Sequence, residues 1–235
     1  MTSPVSSQAA LQAYQYADYQ KNVYSLWWDS KEVRLRQVQE YRLAMAHDPR
    51  NRTLGLAMGV LLTSLAVPES EKRAPYAIQA LALIQEYLDQ HPRNPLALAY
   101  FCTAKSLVLR NSGNLFDMMF QMGPILEAMD RAVHESRGSD EEWLVRLVRA
   151  NLFVKLPDLL NKKGVAYQDF QFIAHSRESR PQIEVALPTV YYYLGKIERS
   201  RGRFQQAKDD LTLSRQKAEE LGQTTTEEYR DLVRE

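Results

Sequence analysis

The chain has 235 residues, 45% apolar and 25% charged, enough to bury a sizeable core and too apolar for disorder to be the default. Lys+Arg 30 against Asp+Glu 29 leaves a formal charge of +1, so no global field draws the protein towards nucleic acid or anionic lipid. The single cysteine, Cys102, excludes an intrachain disulfide and fits a reducing compartment.

The opening MTSPVSSQ lacks a basic stretch followed by an apolar run, so no export signal is expected. The expected localisation is cytoplasmic, or periplasmic or lipid-anchored if a leading segment has been removed. Residues 54–67 form the most apolar run. It falls short of the roughly 20 residues a bilayer span needs. It reads instead as an inner helix, and no membrane insertion is expected. Several of the nine glycines fall between periodic segments, and no stretch alternates with β-branched residues. That pattern predicts an all-α fold.

In chain order, a first helix over 5–28 carries Tyr16, Tyr19, Val23, Leu26 and Trp27 on one face, and Asp29-Ser30 ends it. A helix over 31–47 carries Leu35, Val38, Tyr41 and Met45 and completes a hairpin over 5–48. Asp48-Pro49-Arg50-Asn51 and His91-Pro92-Arg93-Asn94 are one boundary device used twice: proline ends a helix and asparagine caps the next. The first device opens a helix over 52–66, which pairs with 75–90, with Ala80 and Ile84 inside, in a hairpin over 52–91. The second opens 95–110, which pairs with 117–135 in a hairpin over 95–136, and Pro124 is expected to kink or delay that second helix. Ser139-x-x-Glu142 reads as a capping box opening a fourth hairpin, 141–177, with helices over 141–155 and 162–175. After a proline-containing linker, residues 188–221 read as two helices folded back across Arg201-Gly202-Arg203. Thr225-x-x-Glu228 is expected to cap a short last helix over 225–233, a lid on the terminal core.

Within 188–221, Gly195 and Ala207 stand where two antiparallel helices must approach closely, with Tyr191, Leu194, Phe204 and Leu211 as flanking apolar surface. Tyr191-x-x-Leu194-Gly195 followed by Gly202-x-Phe204-x-x-Ala207-x-x-x-Leu211 resembles a tetratricopeptide repeat. The two Pro-Arg-Asn junctions resemble the junctions between such repeats. Gly59, Cys102, Ala150 and Gly195 occupy comparable places at intervals of about 43 to 48 residues. The family period is about 34 residues, so the helices or loops here are longer. The resemblance implies one domain over 1–235: a right-handed superhelix of antiparallel helical hairpins, an α-solenoid closed by the last helix. It also implies a concave surface, lined by the leading helix of each hairpin, that holds a peptide and often grips carboxylates with Lys, Arg and Asn.

Little in the chain points to catalysis. His47, His91, His134 and His175 lie near helix ends with no metal-ligand spacing, and a cation at a helix C-terminus is the expected role. Cys102 beside Phe101 reads as buried and inert, and Ser214-x-x-Lys217 lacks the companion motifs of an acyl enzyme. No cofactor is expected. Arg146, Arg149, Lys155, Lys162 and Lys163 form a basic concentration that nearby acids, Asp169 among them, are expected to neutralise as surface ion pairs. The first helix, with Tyr14, Tyr16, Tyr19, Tyr24, Trp27 and Trp28, has more apolar surface than one face buries. Closure of the stack is the preferred use of the excess and self-association the alternative.

Tyr191-Tyr192-Tyr193 point in three directions around a helix. With Tyr191 inward by the resemblance, Tyr192 faces the groove, and Lys196 and Arg199 extend the same side. An aromatic beside cations suits a carboxylate. By resemblance Asn151, Val60 and Thr103 fall at equivalent groove positions of earlier hairpins, with Leu56 and Ala99 adding a smoother apolar part. The expected function is a non-catalytic scaffold that binds a peptide or protein segment in this groove. The alternative is an accessory protein of the cell envelope that holds a small organic ligand between hairpins.

Overall fold

The computed structural model describes residues 31–67, 73–111, 115–176, 181–224 and 226–234. Among them are ten α-helices, two short 3-10 helices and no strand, so the fold is all-α as expected. The expected helix over 5–28, with its aromatic surface, lies outside the described residues, as do Ser112, Gly113 and Asn114 of the third turn. The chain divides into two compact units, one ending at Glu135 and the other beginning at Ser136.

In the first unit the order is α1 (Lys31–His47), α2 (Arg52–Ala66), α3 (Arg73–Leu88), α4 (Pro95–Asn111) and α5 (Leu115–Ser136, whose last residue falls in the second unit). Both predicted asparagine caps form: Asn51 Oδ1 accepts the Leu54 N–H at 3.3 Å and Asn94 Oδ1 accepts the Ala97 N–H at 2.9 Å. Every residue from Leu54 to Ala66 is buried, because α2 packs against α1, α3 and α4. Its hydroxyls are satisfied within the helix, Thr63 donating to the Gly59 carbonyl and Ser64 to that of Leu61. Gly59 lets α3 come close. A Cβ there would meet Ile84 Cγ1 at 2.6 Å and the Ala80 carbonyl at 3.2 Å. Pro124 lies inside α5, which begins two residues before the expected start.

The second unit runs α6 (Glu142–Phe153), a 3-10 turn (Asp158–Leu160), α7 (Lys163–His175), a 3-10 helix (Pro181–Ala186), α8 (Leu187–Ser200), α9 (Phe204–Glu220) and α10 (Glu227–Arg234). Consecutive helices pack on one another, α6 with α7, α7 with α8, α8 with α9 and α9 with α10. The predicted turn at Gly202 is a left-handed helix end, with φ +76° and the Arg203 N–H reaching back to the Glu198 carbonyl at 3.0 Å. Gly222 ends α9 in the same way, the Gln223 N–H donating to the Ala218 carbonyl at 2.8 Å.

One cap differs from expectation. The Ser139 hydroxyl donates back to the Ser136 carbonyl at 2.7 Å, closing α5, while Glu142 Oε2 accepts the Gly138 N–H at 2.8 Å, so no Ser139–Glu142 box forms. At α10 Thr226 Oγ1 accepts the Tyr229 N–H at 3.2 Å and the helix starts at Glu227, while the expected cap, Thr225, lies outside the described residues.

Candidate functional site

α8 is amphipathic in two directions at once. Tyr191, Leu194 and Ile197 are buried in the unit. Tyr192 and Lys196, one turn apart, point to α10, where the Tyr192 hydroxyl and the Lys196 ammonium (3.0 Å) both donate to Asp231 Oδ2. Those two donors hold the Asp231 carboxyl below the usual carboxylate range, Tyr192 contributing most. The Lys196 ammonium also lies 5.6 Å from the centre of the Tyr192 ring. Tyr192 meets Tyr193 edge to face at 5.0 Å, and Tyr193 stacks on Phe170 at 5.5 Å, so the phenol is held in position by α7.

Beside this contact is a cavity of about 330 Å³. Its lining is apolar where Phe204, Ala207, Leu211 and Leu232 contribute and basic where Arg199, Lys208 and Arg215 do. Phe204, expected as interhelix packing surface, is 70% exposed. It is the first residue of α9. The structure therefore gathers Tyr192, Lys196 and Arg199 on the α8–α9–α10 face. Sequence reasoning missed Phe204, Lys208, Arg215, Asp231 and Leu232 as members. The i, i+4, i+7, i+11 spacing of residues 204, 208, 211 and 215 on one face of α9 was the available signal.

The other expected site residues sit differently. Val60 is fully enclosed within α2, and the buried Thr103 hydroxyl is spent on the Ala99 carbonyl at 3.0 Å. Asn151 is buried on α6 and lines neither this cavity nor the next. The basic concentration is paired, as expected, but its heart is internal. Arg149 grips the fully buried Asp169 with two hydrogen bonds of 2.7 Å, and Arg146 adds a third at 2.8 Å. Lys163 and Asp158 make the exposed kind of pair foreseen for the group, at 2.6 Å.

A second cavity, about 590 Å³, lies among α7, α8 and α9 and is lined by Glu198, Asp209 and Asp210 together with Tyr167 and His175. The Tyr167 hydroxyl donates to the buried Glu198. Burial, then Glu198 and Asp209, push the Asp210 carboxyl up to about 6. A carboxyl raised in the folded state stabilises the fold while protonated, and that contribution is lost as pH rises from about 4 to about 6. Asp210→Asn is therefore expected to raise Tm at pH 7.5 and leave it unchanged at pH 4. Equal Tm values for variant and wild type at pH 7.5 would refute the assignment.

Among the described residues no group of three or more His, Cys, Asp or Glu side chains is placed to hold a metal ion. Burial pushes the Cys102 thiol up to about 12, the wrong direction for a nucleophile. The buried Ser214 hydroxyl donates to the Pro188 carbonyl at 2.7 Å and so joins α9 to α8. His47, His134 and His175 fall in the last turns of their helices, and His91, just beyond α3, stacks on Tyr87. No helix among the described residues is long and apolar enough to cross a membrane. No known protein family, curated protein or solved structure matches the chain.

Proposed function

We propose that this chain is a non-catalytic helical-repeat scaffold, similar in its last hairpin to tetratricopeptide repeats, that binds a peptide or protein segment through the leading helix of that hairpin. One observation carries the reading: Tyr192 and Lys196 together hold a carboxylate presented by another helix, Asp231 of α10. That is the chemistry of acidic-segment recognition, a phenol and an ammonium on one oxygen. The close α8–α9 approach at Gly195, facing Ala207 and Leu211, supports the repeat resemblance. Arg199 and Lys208 on the cavity rim, beside an Arg215 paired with Glu219 at 3.0 Å, support an acidic rather than a basic partner.

Fluorescence anisotropy tests it, with helical acidic peptides set against charge-reversed versions of the same peptides. The acidic set is expected to bind, to weaken with added salt, and to lose about tenfold in affinity on Lys196→Ala, the loss of one charge-assisted hydrogen bond. Equal affinity for both peptide sets would sink the proposal. A thermal shift with small organic acids and none with peptides would move the reading to the small-ligand alternative.

A further inference from the structure

We infer that the α8–α9 face takes a helical segment presenting an acidic side chain followed directly by a large aliphatic one, and that α10 is its resident occupant, which an incoming partner displaces. This rests on the proposed segment-binding function and names both the partner and its control. Two adjacent residues of α10 define the specification. Asp231 places its carboxylate between Tyr192 and Lys196, and Leu232 forms part of the wall of the neighbouring cavity, which Phe204 and Leu211 also line. On a helix, consecutive side chains diverge by about 100°. One acidic and one aliphatic residue side by side therefore reach the polar grip and the apolar wall of the cavity simultaneously.

Apart from the Tyr192 hydroxyl on Asp231, the hold on α10 is of a weak kind. Its ion pair to Lys196 is about two-fifths exposed on both sides, 38% and 40%, a setting in which solvent screens most of the attraction. Its hydrogen bond from Tyr229 to Glu219, 3.0 Å, is also on the surface. Eight residues are too few for a helix stable on its own, so α10 is ordered by what it docks on. The surface beneath does not need α10 in return. α8 and α9 are joined by Gly195 against Leu211 and by the Ser214–Pro188 hydrogen bond, and Gln223, at the start of the tether, is pinned by its side-chain amide to the Val185 carbonyl at 3.0 Å. Release of residues 226–234 leaves the site standing with a fixed hinge beside it.

The probe is a labelled peptide of residues 223–235, stapled into a helix through exposed positions 230 and 234. It is titrated into the wild-type chain, into full-length Asp231→Asn/Leu232→Ser, and into that variant carrying Lys196→Ala. If α10 is docked nine-tenths of the time, emptying the site is expected to tighten apparent binding about tenfold. Lys196→Ala should then abolish the gain. Equal binding to wild type and the double variant overturns displacement and leaves the segment site intact, whereas no binding to either overturns both. A loss of thermal stability in the double variant with no gain in affinity makes α10 a structural cap and also overturns the inference. Hydrogen exchange on the wild-type chain gives a check independent of any substitution. Excess peptide is expected to deprotect amides 227–234, and unchanged protection with peptide bound contradicts displacement.

Discussion

Asp169→Asn is expected to destabilise the second unit by about 3–5 kcal/mol. Asp169 has no exposed surface, and both its oxygens are engaged, Oδ1 by Arg146 Nη1 and Arg149 Nη2 and Oδ2 by Arg149 Nε. The amide keeps the shape and removes the charge. Two guanidinium groups, with side chains 17% and 11% exposed, then stand side by side on α6 without their shared counterion. Arg146 retains Glu142 Oε1 at 2.8 Å and lies over the Phe172 ring at 4.3 Å, so the residual charge is not wholly orphaned. For Arg149 the amide removes the charge that both of its 2.7 Å hydrogen bonds meet. Urea denaturation followed by circular dichroism, with the transition of the second unit resolved, measures the loss. A cost under 1 kcal/mol would mean that water reaches the guanidinium pair and that the cluster behaves as a surface network.

That cluster marks where sequence reading succeeds and where it stops. The partners were legible, since Asp169 stands in the helix following Arg146 and Arg149. Their depth was not, because burial depends on which face of α6 meets α7, and charge on a short amphipathic helix reads as solvated. The same limit applies to Val60 and Thr103. The repeat resemblance assigns them to groove positions, but α2 is covered by α1, α3 and α4, so Val60 became core. Local devices were read well when one residue acts on its own neighbours. Asn51 and Asn94 each cap three residues on, and Gly202 takes the left-handed turn. Ser139 misled because its hydroxyl had a second local choice, the carbonyl of Ser136, and took it. The grouping of Tyr192, Lys196 and Arg199 followed from steps of four and three along one helix. Its occupant did not, since Asp231 arrives from 35 positions beyond Lys196 through a tertiary docking no periodicity encodes.

Gly195→Val is the second large effect, with an expected cost of about 3 kcal/mol from overpacking. A valine at this position gains helix propensity, since glycine is worth about 1 kcal/mol less than alanine inside a helix. The gain is outweighed by geometry. A Cβ alone would stand 2.7 Å from Leu211 Cγ, 2.9 Å from its Cδ2 and 3.0 Å from the Ala207 carbonyl oxygen. Leu211 can turn its methyls aside, but the carbonyl belongs to the backbone of α9 and moves only if the two helices separate. Separation stretches the Ser214–Pro188 hydrogen bond and shifts Leu211 away from Leu232 in the cavity below α10. Stability and segment binding should therefore fall together. Gly164→Ala in α7 is the control, because nothing lies within 4 Å of the added carbon, and it is expected to be neutral or stabilising by up to about 1 kcal/mol. Thermal melts of the two variants beside wild type separate the effects of propensity and clearance. If Gly195→Val melts with the wild type, α8 and α9 have room to part, and the close approach at Gly195 does not hold the hairpin together.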